Sequence, residues 1–403
     1  MWTRRSFFSR GASLLALRAF AGSAANAANS PGVTDTEIKV GQTVPYSGPA
    51  SAWGMIGRTE AAYIRMINEN GGVNGRKINL ISLDDALSPP KTVEQTRRLV
   101  EQDQVAFLFG SLGTETNLAV RDYLNNQKVP QLWVGSPASV FADPEHFPYT
   151  LPGAFESRSE GRIFTKHILE TRPQAKIAVL YWNDDIGRDS LQGIKDILGD
   201  EHASMLVRAT SYEITDPTVD SQIIALQASG ADTLVLAAAS KAAAQALRKT
   251  FALGWSATRY VSYIASSIKS VMKPAGVDAS KGVISSALFK DSEDPTWRDD
   301  PALKEYFSFV SKYMPGVAPD DDLVATGYWI ASVLVDLIRG CGNDLSRAHV
   351  MWRASHLHIE GTALQFPGAI VESSPTDFHT MRYAQLRRFD GESWHLFGDV
   401  IRG

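Results

Sequence analysis

From residue 38 onward, short runs of β-branched and aromatic residues alternate with amphipathic stretches. Residues 38–44, 77–83, 105–109 and 131–135 read as strands in the first third of the chain. Between the first two, Met55, Ala62 and Met66 repeat at spacings of seven and four, as do Ile56, Tyr63 and Ile67, marking one apolar helix face that stops at Gly71-Gly72. A further helix is predicted over about 117–126. Strand, helix, strand repeated in this way predicts a parallel sheet covered on both faces.

After a proline-rich stretch (Pro144, Pro148, Pro152) the alternation begins again. Strands are predicted at 176–182, 206–212, 232–238 and 259–264, and helices near 156–170, 188–198, 217–229 and 241–253. A strand at 283–288 leads into an acidic turn, 291–294, and then to helices near 301–313, 323–339 and 345–354. The tail changes character: 362–366, 382–389 and 394–400 read as strands, with Asp390-Gly391 as a hairpin turn. The pattern is that of two α/β lobes with an antiparallel end piece.

The 403 residues, 44% of them apolar, are enough for two or three domains at about 150 residues each. The net charge of −4 becomes −8 once the first 30 residues, with Arg4, Arg5, Arg10, Arg18 and no acid, are set aside. A domain of that sign has no reason to attract phosphate backbones or an anionic membrane, so nucleic-acid and lipid partners are not expected. Thr3-Arg4-Arg5-Ser6-Phe7-Phe8, a small and apolar run and then Ala25-Asn26-Ala27 read as a twin-arginine signal peptide over 1–27, removed before Ala28 on export to the periplasm. No cysteine lies near that site, so no lipid anchor is expected. Cys341 is alone, which excludes an intramolecular disulfide and a cysteine-built metal site. The apolar stretch 323–338 is interrupted by Thr326, Gly327, Ser332 and Asp336 and reads as a buried helix.

Catalytic signatures are absent: there is no nucleophile elbow, no P-loop, no H-E-x-x-H and no G-x-G-x-x-G after a strand. His356, His358 and Glu360 are the one close group among the eight histidines, and a solvated strand face fits them better than a metal site. No cofactor, no metal and no enzymatic activity are expected.

In open parallel sheets, ligands bind at the carboxyl ends of strands, so the loops there matter most. Residues 45–54 end a strand and open a helix with small residues and Trp53. Residues 110–116 place Gly113 and Thr114 where a strand turns into a helix. Thr114 or Thr116 could simply cap that helix, or free N–H groups there could hold a carboxylate; spacing alone separates neither. Ser136, Pro137 and Ser139 follow the next strand. From the second lobe come 183–187, with Ile186, then Ser240, and then Ser266.

Taken in order, Ile38-Lys39-Val40-Gly41, Ser47-Gly48-Pro49, Trp53-Gly54, Gly71-Gly72-Val73-Asn74-Gly75-Arg76, Asp84-Asp85, 110–116, Asn183-Asp184-Asp185-Ile186-Gly187, Lys273-Pro274-Ala275-Gly276 and Phe389-Asp390-Gly391 with Trp394 form a set. The sequence resembles the periplasmic solute-binding proteins of branched-chain amino acid ABC transporters, the leucine/isoleucine/valine-binding type. The resemblance implies a type I periplasmic-binding fold: two doubly wound α/β lobes joined by a three-crossing hinge that closes on a small ligand. The expected first lobe is 28–150 with 290–363 and the second 151–289 with 364–403, the crossings falling near 149–153, 286–291 and 361–367. It implies a ligand carboxylate held by the loop at Thr114, an ammonium held by the loop from Pro137 to Ser139, and an aromatic, Trp53, on the ligand's side chain, with Gly113 and Ser136 as further candidate ligand-binding residues. Ile186, Ser240 and Ser266 are the corresponding second-lobe positions.

Three departures bear on specificity. Ile186 stands where the family's amino-acid binders place an aromatic, Ser240 lies where they place a tyrosine, and 264–267 carries no acid to pair an α-ammonium. An unpaired buried ammonium costs several kcal/mol, so the expected ligand need not be an α-amino acid; Asp184, Asp185 and Glu115 are the acids that could reverse this. The resemblance implies a monomeric carrier that delivers its solute to an inner-membrane ABC permease, with a ligand sensor signalling to a membrane receptor as the alternative.

Overall fold

The computed structural model describes residues 30–290 and 295–403. The expected leader and the acidic turn 291–294 lie outside the described residues. Five parallel strands form the first sheet: β1 (Glu37–Val44), β2 (Lys77–Asp84), β3 (Phe107–Phe109), β4 (Gln131–Val134) and β5 (Thr150–Pro152), in the order β2-β1-β3-β4-β5. The central strands β3 and β4 are buried throughout, as expected of a sheet covered on both faces. Helices α1 (Gly54–Glu69), α2 (Pro89–Arg97) and α3 (Thr114–Asn126) connect them. Sequence periodicity passes over α2, although Ser88 followed by Pro89-Pro90 is a helix-start signal.

The second sheet joins five parallel strands, β6 (Ile177–Trp182), β7 (Leu206–Tyr212), β8 (Thr233–Ala237), β9 (Thr258–Val261) and β10 (Ile284–Ala287), to an antiparallel pair, β13 (Tyr383–Phe389) and β14 (Trp394–Arg402). Its order is β14-β13-β10-β9-β8-β6-β7. The hairpin turns at Asp390, whose Oδ1 accepts from the Glu392 and Ser393 N–H groups, and at Gly391, whose φ of 113° suits glycine. Around this sheet lie α4 (Ser157–Thr171), α5 (Asp185–Leu198), α6 (Asp220–Gln227), α7 (Ser240–Ala252) and the short turns α8 (Lys273–Ala275) and α9 (Val277–Ser280). Helix α5 begins three residues before the predicted start because Asp184 caps it, and α6 begins three residues later, past Pro217.

The chain then returns to the first sheet with α10 (Pro301–Tyr313), α11 (Asp322–Cys341) and α12 (Arg347–Ala354); α10 and α11 pack on α1. Helix α11 is long and apolar enough to cross a membrane, but most of it is buried inside the protein, as predicted for a core helix. The predicted strand 362–366 does not form. Thr362 Oγ1 instead binds the Trp329 indole and the Gln365 side chain, and Gln365 makes a lone bridge to Phe289. The strands of this region are β11 (His358–Glu360) and β12 (Ile370–Glu372), a small antiparallel pair. His358 and Glu360 are an exposed pair at 3.0 Å, whereas His356 lies outside the strand and stacks on Trp352.

Two indoles tie the connections between the sheets together. Trp133, inside β4, has φ of 57° at a register shift, a conformation that costs a non-glycine residue about 1–3 kcal/mol. Its buried ring stacks on Phe109 at 5.9 Å and lies so close to Gly153 that any Cβ there would clash. Trp133 meets Trp329 at 5.6 Å, and Trp329 in turn packs on Phe289 at 5.3 Å and donates to Thr362 at 2.9 Å. Gly153, Phe289 and Thr362 lie on the three passages of chain between the sheets.

Candidate functional site

Because each sheet's core strands are parallel, their carboxyl ends gather along one edge. In the first sheet that edge carries 45–54, 110–113 and 135–139; in the second it carries 183–187, 238–240 and 262–267. The two edges meet directly, since Ser139 bonds Asp189 of α5.

Asp84, at the end of β2, shapes the first loop. Its carboxylate accepts from the Tyr46, Ser47 and Ala86 N–H groups, from Ser47 Oγ at 2.6 Å and from Lys91 Nζ at 2.8 Å. Although desolvation opposes ionisation, Lys91 and Ser47 hold this carboxyl well below the usual range. The loop ends in a turn that leaves Trp53 46% exposed, an unpacked aromatic at the cleft edge.

Gly113 precedes α3 with φ of 99°, and a Cβ there would strike Thr116 Oγ1 and Leu87 Cδ1. No side chain caps the first turn of α3. Neither threonine takes the capping role: Thr114 is the first helical residue and its Oγ1 lies 2.7 Å from Ser136 Oγ, while Thr116 Oγ1 donates to the Leu112 carbonyl. A helix end of this kind, with two hydroxyls beside it, favours a bound anion by about 0.3–2 kcal/mol from the dipole alone. The structure thus brings Gly113, Thr114 and Ser136 together. Pro137 is half-buried and its carbonyl accepts from the Ser157 N–H of α4. Ser139 spends both donors on Asp189, N–H to Oδ2 at 2.6 Å and Oγ to Oδ1 at 2.8 Å.

On the opposite edge, Asp184 Oδ1 caps α5 through the Gly187 N–H at 2.8 Å, and burial pushes its carboxyl up to about 6. Ile186 packs across the cleft on Val134, Ala138 and Phe141. Ser240 opens α7, whose first turn also lacks a side-chain cap, and its hydroxyl reaches the Ile264 carbonyl at 3.5 Å. Next to it the Tyr212 hydroxyl accepts from the Ala239 N–H. Ser266 is buried and engaged within its own lobe: Oγ donates to the Tyr263 carbonyl and accepts from Arg387, and its carbonyl accepts from the Trp394 indole.

The acid absent from 264–267 in the sequence arrives from α4. Glu160 is fully buried; Oε1 accepts from the Tyr263 N–H at 2.8 Å and from Ser286 Oγ, and Oε2 accepts from Ser262 Oγ at 2.5 Å. Burial raises its carboxyl to about 7, the two serines limiting the rise. One turn earlier, Glu156 is pushed up to about 8 by burial and by the nearby Asp189 charge. Its Oε2 lies 3.4 Å from His379 Nε2, whose Nδ1 is 2.7 Å from Asp377. Sequence reasoning missed both acids; the available signal was two glutamates four apart on the face of α4 that also carries Ile163 and Phe164. Of the acids named beforehand, Glu115 is exposed and Asp185 pairs with Arg188 at 3.6 Å, leaving Asp184 at the cleft edge. Among the described residues, no group of three metal-ligating side chains gathers.

Two facing α/β layers with ligand loops at their carboxyl edges define a type I periplasmic-binding fold, and solved structures share it. One is a branched-chain amino acid ABC transporter protein from Thermus thermophilus with bound valine (TM-score 0.79; 15% identity; 92% of this chain and 98% of that one). Another is a solute-binding protein from R. palustris in complex with 4-hydroxybenzoate (TM-score 0.74, 17% identity, 91% and 97% coverage). The chain belongs to the periplasmic binding protein family, whose profile matches residues 37–393. The Leu/Ile/Val-binding protein homolog 7 of Brucella abortus is 26% identical over 212 residues, 49% of this chain and 51% of that protein, so the chain matches about half the length of this curated relative.

Proposed function

We propose that this protein is the periplasmic solute-binding component of an ABC transporter. It captures a small carboxylate-bearing solute, a hydrophobic amino acid or an aromatic or aliphatic organic acid, between the lobes and presents it to an inner-membrane permease. In this reading the exported chain starts at about Ala28, is monomeric and catalyses no reaction; its lobes are 28–150 with 290–363 and 151–289 with 364–403. The observation that carries the proposal is the uncapped start of α3 with the Thr114 and Ser136 hydroxyls 2.7 Å apart, on the same edge as the exposed Trp53. The ligand carboxylate binds there and its apolar body lies along Trp53 and Ile186.

The absent ammonium partner is now a narrower question. Glu160 serves the loop 262–263 rather than the cleft, because its oxygens are taken by three donors. Asp184 caps α5 with one oxygen and is the acid placed to meet a ligand's ammonium or hydroxyl. A thermal-shift screen of leucine, valine and phenylalanine against 4-hydroxybenzoate and branched keto acids tests this. Ligand at 100 times its Kd adds about 2.7 kcal/mol of stability. Stabilisation by the amino acids, lost in Asp184→Asn, assigns Asp184 to the ammonium. Stabilisation by the other acids alone supports a ligand without one, and no response to any carboxylate overturns the proposal.

A further inference from the structure

The loop after β4 bonds to both sides: Gly135 and Ser136 pair with 111–114 and the Val140 carbonyl accepts from Arg121 of α3 at 2.8 Å, while Pro137 and Ser139 reach the helices of the second sheet. The Pro137 carbonyl accepts from the Ser157 N–H at the start of α4. Ser139 gives both of its donors to the two oxygens of Asp189 on α5, and Ile186, three residues before Asp189, packs on Val134, Ala138 and Phe141. The loop leaves the sheet immediately after Trp133, whose positive φ and register shift turn the strand. The Arg158 guanidinium, whose charge Asp189 also feels, makes its hydrogen bonds to Asp196, at 2.8 and 3.1 Å. The Asp189 carboxylate is thus directed at Ser139.

We infer that Ser139 and Asp189 form a fourth, non-covalent connection between the lobes, and that Asp189 is a positioning residue that sets how closely the second lobe's edge faces the anion site. The inference rests on the cleft binding a carboxylate, as proposed above. Its mechanical content is simple. Thr114 and Ser136 are both held on the first lobe, Ser136 through Gly135, which pairs with Ser111 and Gly113. The clasp sets how closely Ile186 and Asp184 of the second lobe face that pair, so it assembles the site without touching the ligand.

The backbone offers a clean disruption. Ser139 is the first residue of a short 3-10 turn and Ala138 before it is extended (φ −79°, ψ 129°), so proline fits at 139 and removes both donors. Small-angle X-ray scattering of ligand-free Ser139→Pro and Asp189→Ala is expected to show a larger radius of gyration than the unmodified protein, with the double variant no larger than either single one. Asp189→Asn keeps an acceptor for the N–H and can donate to the hydroxyl, so it is expected to restore the compact form. With leucine and 4-hydroxybenzoate as probes, whichever binds the unmodified protein is expected to bind the first two variants about tenfold or more weakly and the asparagine variant within about threefold. Unchanged scattering in Ser139→Pro and Asp189→Ala overturns the clasp. If those variants fail to fold by circular dichroism, Ser139→Ala decides, since it removes only the hydroxyl bond and an unchanged radius and affinity overturn the inference. The scattering needs no ligand, so failure of the clasp is distinguishable from failure of the binding proposal, which shows as no response to either probe by the unmodified protein.

Discussion

Glu60 and Glu160 occupy comparable places in the two lobes. Each lies on a helix laid against its sheet, α1 and α4, and each is buried beneath a loop at the cleft edge. Glu60 reaches under Gly110 and meets the Gln42 side chain, which in turn accepts from Ser82 and leads to the Tyr46 hydroxyl. One of its oxygens has no partner. Glu160 receives three donors, from Ser262, Ser286 and the Tyr263 backbone. Burial raises both carboxyls, Glu60 well above the ordinary range and Glu160 only to about 7. The difference teaches that at equal depth the number of donors limits how far burial lifts a carboxyl: Glu160, with three, is held nearer its ordinary range than Glu60, which meets Gln42 alone.

The comparison can be broken in four places. Glu160→Ala strands two serine hydroxyls and an N–H in the interior and is expected to cost about 3–5 kcal/mol in denaturant unfolding; a loss below about 1 kcal/mol would remove Glu160 from the support of 262–263. Glu156→Gln acts through pH. A carboxyl raised to about 8 keeps its proton in the folded protein at pH values where the unfolded chain has lost it. Its contribution therefore weakens as pH rises from about 4.5 to about 8 and is flat beyond. The glutamine variant is expected to be about 2–4 kcal/mol more stable than the unmodified protein at pH 9 and unchanged at pH 4, read from urea midpoints at the two values. Thr114→Val removes a hydroxyl from the open edge and is expected to weaken carboxylate binding about tenfold by calorimetry while changing stability by less than about 1 kcal/mol. Glu60→Gln is expected to have the smallest effect, within about 1 kcal/mol at pH 7, because burial already favours the uncharged form that the amide resembles; a large loss would show that Glu60 is ionised and that the two lobes are alike.

Much of the fold was legible because burial leaves a local trace. The runs at 38–44 and 206–212 alternate or cluster as strands do, and the repeat of Met55, Ala62 and Met66 gave α1 its face. Trp53, Thr114 and Ser136 were legible as loop residues at strand ends. What stayed hidden depends on pairings far apart in sequence. Glu160 meets Ser262 across 102 residues, and Ser139 meets Asp189 across 50. No periodicity reports such a partner, so the loop 264–267 looked empty of acid while one stood behind it. The segment 362–366 failed for a related reason: its apolar residues are buried by the hinge packing around Trp329 rather than by a ladder.

The chain holds nine tryptophans, and their placement gives it an optical division of labour. Trp133 and Trp329, with ring centres 5.6 Å apart among the interlobe passages, are close enough for their electronic transitions to couple. Both belong to the first sheet's side of the molecule, β4 and α11, so their coupling in the near-ultraviolet circular dichroism reports how that side packs around the passages. Among the described residues, Trp53, half exposed at the cleft edge, and Trp352 on helix α12 are the indoles most open to a collisional quencher. On the proposed binding mode, solute at Trp53 shields one of these two indoles and leaves Trp352 as an internal reference.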